Sequence, residues 1–386
     1  MTMPFALAGA RIFDGKAWHS EAALIVRDGK VGEIVSRGSV PPDMETTSLN
    51  GGMLVPGFID IQVNGGGGVL LNEEPNVDGI RTICAAHLPF GTTGLLPTLI
   101  TDTPEITSAT IAAGEEATRE RVPGFLGLHL EGPHLSLTHK GTHHPALIRP
   151  MDNTDLAKLL AAASELPVLL VTVAPETVTA DQISAMADAG IIVSLGHSGS
   201  TYDIAANAAK AGATMVTHLF NAMSQMSHRS PNMVGAALET GSLYAGLIAD
   251  GFHVDRPAMA IALRAKKGPG KVFLVTDAMS PIGTDITSFT LNGRLIKREG
   301  GRLTLEDGTL AGADLDMISA VRFIHREIGL ELDEALRMAS LYPAEAIGLD
   351  RQRGRLLTDF VADIVHLSDD LDVEHVWQDG QLKHKT

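Results

Sequence analysis

Four side chains that lie far apart in the sequence have the types that metal-assisted hydrolysis requires. Glu131, His197 and His218 supply one carboxylate and two imidazoles, the donor set of a catalytic zinc-type site whose fourth position is open to water. Asp277 supplies a second carboxylate, which can take a proton from that water and return it to a leaving group. These four residues can act together only if the fold brings them to one place.

The elements that carry these residues follow a regular alternation. Between about residues 54 and 354, apolar strand-like runs alternate with alanine-rich segments of helical period, a pattern typical of a parallel sheet. Eight such runs predict a (β/α)8 barrel. A doubly wound nucleotide-binding fold is disfavoured, because the tetraglycine at 65–68 lacks the required glycine spacing. The runs are LVPGFIDIQ, TGLLPTL, GFLGLHLE, PVLLVTV, GIIVSLGH, TMVTHLF, YAGLIAD and KVFLVTD.

Most of these apolar runs end in polar residues, which a fully buried parallel strand does not need. In a barrel the carboxyl ends of the strands converge on one mouth, where the active sites of this fold lie. A structural role is the simpler interpretation for any one of these residues; Asp277, for example, could be a helix N-cap. We interpret His129 as a packing residue or a support for the ligands. The polar ends are Gln62 and Asn64, His129 and Glu131, His197, His218, Asp250 and His253, and Asp277.

The two ends of the chain have a different pattern of apolar and polar residues from the central part. Short alternating runs with Asp-Gly turn signals occupy about residues 5–36, and ADIVHLS and VEHVWQDGQL repeat the pattern near the C-terminus. We therefore predict that the ends pair into one small β domain, with residues 1–54 and 355–386 forming a β-sandwich and residues 55–354 forming the barrel.

The amino-acid composition limits the kinds of partner and compartment that suit this protein. The 46 acidic and 30 basic side chains give a formal net charge of −16, which makes nucleic acid an unsuitable partner. Apolar runs are too short to cross a membrane, and the N-terminal sequence lacks the features of an export signal. A single cysteine, Cys84, agrees with a reducing compartment. We expect a cytoplasmic protein with no membrane partner.

The sequence resembles the N-acetylglucosamine-6-phosphate deacetylases of the amidohydrolase superfamily. The matching stretches, in order, are PGFIDIQVNGGGG, GLHLEGPHLS, KGTHHP, SLGHS, THLFNAM, DGFHV, LVTDAM, TLAGADLDM and LYPAEAIGL. The resemblance implies an interrupted β-sandwich fused to a (β/α)8 barrel. It also implies that Glu131, His197 and His218 hold one divalent metal ion per subunit, and that Asp277 is the general base and then the general acid. We expect Zn²⁺, with other divalent transition metals as alternatives.

The first predicted strand bears on the number of metal ions. Many members of the superfamily have a His-x-His pair here that holds a second ion, whereas this chain has Gln62 and Asn64. Neutral amides are poor ligands for transition metals compared with imidazole. We therefore predict one strongly held ion at this site, with Gln62 hydrogen-bonded to a water molecule in the second position.

The resemblance also implies a set of substrate contacts. His143 corresponds to the histidine that polarises the carbonyl group, although the neighbouring His144 leaves open which imidazole faces inward. The phosphate group is expected to contact the backbone at Asn221 and Ala222 together with Arg229 and His253. Leu310 and Gly312 are expected to line the acetyl end. The segment around Arg229 is implied to lie near a subunit interface, which predicts a homodimer.

The sequence thus predicts removal of the acetyl group from N-acetyl-D-glucosamine 6-phosphate, giving D-glucosamine 6-phosphate and acetate. N-acetylgalactosamine 6-phosphate and other acylated amines or cyclic amides remain alternatives. A dihydroorotase-like site would use a carboxylated lysine, and no strand-like run ends in Lys. A metal-free scaffold of the same fold is a further alternative, but such a protein would have lost ligands or the acid/base that this chain retains.

Overall fold

The computed structural model describes residues 3–386, and the chain in it forms two compact units. The terminal unit contains the chain up to Asp60, His87–Gly94 and Met317–Thr386, and the central unit contains Ile61–Ala86 and Leu95–Asp316. The predicted domain limits are residues 1–54 and 355–386 for the β-sandwich and residues 55–354 for the barrel, and they remain a prediction. The compact terminal unit takes in a longer C-terminal stretch than they do.

Eight parallel strands in chain order form a nearly closed barrel. The first and last of these strands, Phe58–Val63 and Val272–Val275, close the barrel through two hydrogen bonds at their ends. The N–H of Asp277 donates to the carbonyl of Gln62 at 3.0 Å, and the N–H of Asn64 donates to that of Ala278 at 2.8 Å. All eight strand-like runs of the sequence form strands, so the barrel prediction is confirmed. The strands β1 to β8 are Phe58–Val63, Thr92–Ile100, Leu128–Glu131, Leu169–Val173, Ile192–Leu195, Met215–Val216, Tyr244–Ile248 and Val272–Val275.

Helices follow most of the barrel strands, and local sequence explains where several begin. Asp152 and Thr179 cap the helices that follow them through reciprocal side-chain and backbone hydrogen bonds, which satisfy orphan N–H groups of the first turn. The strands themselves are almost wholly buried, as expected of a parallel sheet covered by helices. The helices are Val77–His87, Pro104–Glu120, Asn153–Ala163, Ala180–Asp188, Tyr202–Lys210, Asn232–Glu239 and Arg256–Ala265.

Two further small sheets belong to the central unit. A four-stranded antiparallel sheet follows β8 in the chain, and its Ile296 and Leu303 lie in one buried cluster with Ile100 and Met279. The insertion has no clear signal in the sequence, because its strands are short and largely polar on one face. The strands are Gly65–Gly66 and Val69–Leu70 in the first sheet, and Ser288–Leu291, Arg294–Glu299, Arg302–Thr304 and Leu310–Ala313 in the second.

The terminal unit contains two β-sheets that share one core. The strand Ile364–Leu367 pairs antiparallel with Met53–Pro56, so the two ends of the chain do form one β structure, as predicted. Leu24 from one sheet and Ile364 and Trp377 from the other lie in the same buried cluster. The sheets are, in spatial order, Lys30–Ser36, Ala22–Arg27, Phe5–Ala8 and Glu45–Ser48, and Gln381–Lys385, Val373–Gln378, Ile364–Leu367, Met53–Pro56, Arg11–Phe13 and Trp18–His19.

Helical segments complete the terminal unit. They are Met317–Phe323, which continues into the π-helical turn Ile324–Ile328, then Leu332–Ala339 and Leu341–Ala346. Among residues 3–386, the structure contains no helix with the length and apolar character that a membrane span requires.

Candidate active site

The three predicted metal ligands lie at the carboxyl ends of barrel strands in the central unit. Glu131 is the last residue of β3, whereas His197 and His218 each come two residues after their strands end. Both histidines have positive φ, 46° and 27°, conformations that are costly outside glycine and that persist where the surrounding structure imposes them. The imidazoles therefore project from strained turns beyond the strands.

The ligand atoms of these residues converge on one point. Nε2 of His197 lies 3.2 Å from Oε1 of Glu131, and Nε2 of His218 lies 3.1 Å from the same oxygen. The two Nε2 atoms are 3.0 Å apart. Ligands that surround one ion at ~2.1 Å are roughly 3.0 to 3.4 Å from one another, from octahedral to tetrahedral angles, so the spacing fits three ligands of one ion.

The other hydrogen bond of His197 and the negative charge of Glu131 also suit the binding of a cation. Nδ1 of His197 lies 2.9 Å from the carbonyl oxygen of His139, so Nδ1–H donates there and Nε2 keeps its lone pair for a metal. Burial alone would raise the pKa of Glu131, but the contacts with His197 and His218 hold that pKa well below its usual range. An ionised carboxylate and the lone pair of His197 therefore face a common centre, and Nε2 of His218 lies beside them.

His143, rather than His144, faces this centre. Its ring centroid lies 4.4 Å from that of His197, whereas His144 is exposed. The backbone N–H of Thr101 donates to Nδ1 of His143 at 3.3 Å, so the proton of a neutral ring is on Nε2. Burial, and then the proximity of His197, lower the pKa of His143 well below its usual range. The result is a neutral imidazole with one N–H to donate.

Asp277 lies beside the ligands and is held by two amides at the carboxyl end of β1, Gln62 within the strand and Asn64 directly after it. Nδ2 of Asn64 donates to its Oδ1 at 2.7 Å, and Nε2 of Gln62 lies 3.4 Å from the same oxygen. Nε2 of Gln62 also lies 3.3 Å from Oε1 of Glu131, so the amide bridges the two carboxylates. Burial, and then the charge of Glu131, raise the pKa of Asp277. A carboxylate with a raised pKa is suited to exchange a proton.

One cavity of the central unit contains most of the predicted residues. The ligands share it with Asp277 and His143, and Arg229 is absent from its lining, because it lies on an exposed segment. Gln62 lies beneath the cavity, with its amide against the carboxylates. The predicted residues that line the cavity are Asn64, Glu131, His143, His197, His218, Asn221, Ala222, His253, Asp277, Leu310 and Gly312.

The residues predicted to contact the phosphate differ in whether their N–H groups are already used in hydrogen bonds. The backbone N–H of Asn221 already donates to the carbonyl of His218 at 2.9 Å, whereas that of Ala222 makes no hydrogen bond within residues 3–386. Nδ1 of His253 lies 2.6 Å from Oδ2 of Asp250. Burial opposes the ionisation of Asp250, yet hydrogen bonding to His253 lowers the pKa of this aspartate. The Nε2 side of His253 is therefore the one presented to a ligand.

The cavity also contains residues that the sequence analysis missed. Thr142, Thr309 and Met279 lie within the matching stretches KGTHHP, TLAGADLDM and LVTDAM, close to predicted positions, whereas Ile100 and Ile248 had no signal beyond their apolar strands. Gly312 has a structural reason to be glycine. Its φ is +65°, and a Cβ there would lie 2.5 Å from Cγ of Met279, far closer than two carbons can approach.

His129 lies behind the ligands rather than among them. Its Nε2 is 2.7 Å from Oγ1 of Thr172, and its Nδ1 is 3.1 Å from the carbonyl of Ile61. Burial lowers its pKa to about 4, so the ring is neutral at ordinary pH. These contacts make it a buried link between strands β1, β3 and β4.

A (β/α)8 barrel whose mouth brings a carboxylate, two imidazoles and an adjacent aspartate together has the architecture of a metal-dependent hydrolase. Sequence comparison agrees with this class. The chain belongs to the amidohydrolase family, whose profile matches residues 53–383. The profile of the NagA composite domain matches residues 4–54.

Individual relatives match along the whole chain. The protein is 42% identical to the N-acetylgalactosamine-6-phosphate deacetylase of Shewanella sp. (strain ANA-3), over 98% of this chain and 95% of the relative. It is 33% identical to the N-acetylglucosamine-6-phosphate deacetylase of Haemophilus influenzae, over 94% of each. The crystal structure of N-acetylglucosamine-6-phosphate deacetylase from Pasteurella multocida matches with a TM-score of 0.96 and 36% identity, covering 99% of this chain and 100% of that one. The resemblance read from the sequence motifs is confirmed.

Proposed function

We propose that this protein is a deacetylase that hydrolyses the acetamide of N-acetyl-D-glucosamine 6-phosphate to D-glucosamine 6-phosphate and acetate. One observation carries the proposal: the ligand atoms of Glu131, His197 and His218 lie within 3.2 Å of one another in a cavity that also contains Asp277. The names of the Haemophilus and Pasteurella relatives support the substrate.

Each residue of the site has a distinct role in this reaction. Glu131, His197 and His218 would hold one divalent ion, which we propose is Zn²⁺. Such an ion supplies Lewis-acid chemistry, lowering the pKa of water and polarising a carbonyl group. Asp277 takes the proton from the attacking water and later gives it to the departing amine.

His143 would act on the carbonyl oxygen. Its Nε2–H is the free donor of a neutral ring, because Nδ1 accepts from Thr101. A fixed donor aimed at an oxygen on which negative charge develops stabilises the transition state more than the ground state. Asn64 and Gln62 keep the Asp277 carboxylate oriented through their amide N–H groups.

The phosphate group would bind in the part of the cavity lined by Asn221, Ala222 and His253. The backbone N–H of Ala222 and Nε2 of His253 are the donors available there, and Asn221 lies next to them. Arg229 is exposed, and we propose that it contacts the phosphate within a homodimer whose interface includes the exposed segment 225–231. We further propose a cytoplasmic location, which the single buried cysteine, Cys84, supports.

Acetate release tests the proposed reaction. Purified protein is incubated with N-acetylglucosamine 6-phosphate, and free acetate is measured before and after the metal is removed by a chelator. We expect acetate from the untreated protein, little from the stripped protein, and recovery when Zn²⁺ is restored. Acetate release that is indifferent to the chelator would contradict the proposed metal-dependent reaction.

The 4-epimer, N-acetyl-D-galactosamine 6-phosphate, is a second candidate substrate. The Shewanella relative that carries this activity in its name shares 42% identity with this chain, against 33% for the Haemophilus relative. Parallel measurements of kcat/KM on both epimers decide between them. A preference for the galactosamine ester would transfer the proposal to that substrate and leave the chemistry unchanged.

A further inference from the structure

A second group of metal-binding side chains lies in the terminal unit. Within residues 3–386, His366, Glu374 and His375 offer ligand atoms that lie within 4.8 Å of one another. We propose that these three residues bind a divalent transition-metal ion such as Zn²⁺, separate from the ion held at the barrel mouth. The expected content rises from one ion per chain to two.

Strand pairing brings the three side chains together. His366 and His375 are direct partners in the ladder between Ile364–Leu367 and Val373–Gln378. The register shifts at the next pair, where Leu367 faces Val373, so Glu374 is the extra residue of a β-bulge. Neighbouring residues on a regular strand point to opposite faces, and a bulge re-aims one of them. Glu374 therefore reaches the same point as His375.

The hydrogen bonding of His366 leaves a lone pair directed at its two neighbours. Nε2 of His366 lies 2.9 Å from the carbonyl oxygen of Gly51, which can only accept, so Nε2 carries a proton. Nδ1 of a neutral His366 then carries the lone pair. A metal-binding histidine is typically fixed in this way, by donating its other N–H to a carbonyl group.

The lone pair of His366 Nδ1, the carboxylate oxygen of Glu374 and Nδ1 of His375 consequently face one another, and the last is an acceptor in the tautomer of His375 that carries its proton on Nε2. Nδ1 of His366 lies 3.1 Å from Nδ1 of His375 and 3.1 Å from Oε2 of Glu374. Ligands of one ion at ~2.1 Å are roughly 3.0 to 3.4 Å apart, from octahedral to tetrahedral angles. A proton on Nδ1 of either ring forms a hydrogen bond within one pair of these atoms, whereas a divalent ion contacts all three.

The surroundings fix the geometry and leave room for water. The His366 side chain is 1% exposed, and that of Glu374 is 40% exposed, so the group is anchored on one side and open on the other. Gly52, with φ +68°, passes so close that a Cβ there would lie 2.2 Å from the carbonyl oxygen of Leu367. Two imidazoles and a carboxylate suit Zn²⁺, Ni²⁺ or Cu²⁺ rather than Mg²⁺ or Ca²⁺. The ion would join the two strands across the bulge.

Zn²⁺ titration of the metal-stripped full-length chain tests the site, with a chromophoric chelator as competitor. We expect two ions per wild-type chain, one for His375→Ala, one for His197→Ala and none for the double variant. The loss of one of three ligands should weaken binding by about 100-fold or more, since loss of a mere supporting contact already costs about 10- to 100-fold. His384→Ala, on the neighbouring strand, is the control and should keep both ions.

A second variant keeps the test decisive if His375→Ala perturbs folding. Glu374→Gln keeps the shape of a half-exposed side chain and should also remove the terminal ion, while acetate release is unchanged. Two ions in both His375→Ala and Glu374→Gln, or a single ion in the wild type that His197→Ala abolishes, would overturn the proposal in favour of a His366–Glu374 ion pair. Because His197→Ala reports on the barrel mouth alone, failure of the proposed activity is separately visible.

Discussion

Two clusters in this chain offer the same donor types, two imidazoles and one carboxylate, in different surroundings. At the barrel mouth the ligands are almost fully buried and come from three strands, and both histidines have positive φ. In the terminal unit the ligands lie on two adjacent strands, and Glu374 is 40% exposed. The mouth also has Asp277 and His143 in its cavity. Donor type alone therefore predicts metal binding, and catalysis needs the additional groups.

The strongest test of this contrast removes the proton carrier from the barrel mouth. Asp277→Asn keeps the shape of the side chain and removes its ability to take up a proton, so kcat for acetate release should fall by about 10²- to 10⁴-fold. Zn²⁺ content and the thermal melting curve should be unchanged, because Asp277 is not among the three proposed ligands.

The matched change in the terminal cluster is Glu374→Gln, which also converts a carboxylate to an amide. It should remove an ion and leave kcat unaffected. If Asp277→Asn retains turnover within about ten-fold of wild type, Asp277 is not the general base. If Glu374→Gln lowers kcat comparably, the distinction between the two clusters fails.

A smaller effect is expected from the donor to the carbonyl oxygen. His143→Gln removes the fixed imidazole N–H, and kcat should fall by about 10²- to 10³-fold, the usual cost of one oxyanion donor. His144→Gln changes the adjacent, exposed ring and is the matched control, with kcat close to wild type. Similar losses in both variants would mean that the loop, rather than one N–H, determines the rate.

The barrel could be predicted because its strands are encoded locally, and the ligand set at its mouth stays a proposal. Each strand is a short apolar run, and the polar residues that follow it mark the carboxyl end that the fold brings to the mouth. The choice between His143 and His144 could not be predicted, because both are histidines on one irregular loop. The tertiary structure shows which ring is turned inward, because His143 is buried against His197 and contacts Thr101, whereas His144 is exposed.

The other features that the sequence did not predict depend on pairing between distant backbone segments, which the sequence of either segment alone does not determine. The engaged N–H of Asn221 follows from a tight turn onto the carbonyl of His218. The cluster at His366 requires both the ladder register and the bulge that re-aims Glu374. The alternation of apolar and polar residues predicts both strands of this cluster. That alternation alone, however, places Glu374 and His375 on opposite faces.

The smallest expected effect concerns the charge around the exposed cluster. Lys385 is the ladder partner of His375 on the edge strand. Burial, then His366 and then Lys385, lower the pKa of His375, so the Lys385 charge opposes a second cation there. Lys385→Gln should tighten Zn²⁺ binding at the terminal cluster two- to five-fold, since exposed charge pairs contribute about 0.2 to 1 kcal/mol. Competitive Zn²⁺ titration in the His197→Ala background isolates this site.

Lys383→Gln is the control. The register shifts between Leu382 and His384, so Lys383 has no partner in the ladder. Its charge should therefore have a weaker effect on the terminal cluster. The difference between the two variants should shrink in high salt, because exposed charges are screened within about 10 Å at 0.1 M ionic strength. The same Lys385→Gln change should leave Zn²⁺ affinity at the buried barrel mouth unaltered when measured in the His375→Ala background. Equal tightening by Lys383→Gln, or a salt-independent effect of Lys385→Gln, would show that the two clusters do not differ in their exposure to solvent charge.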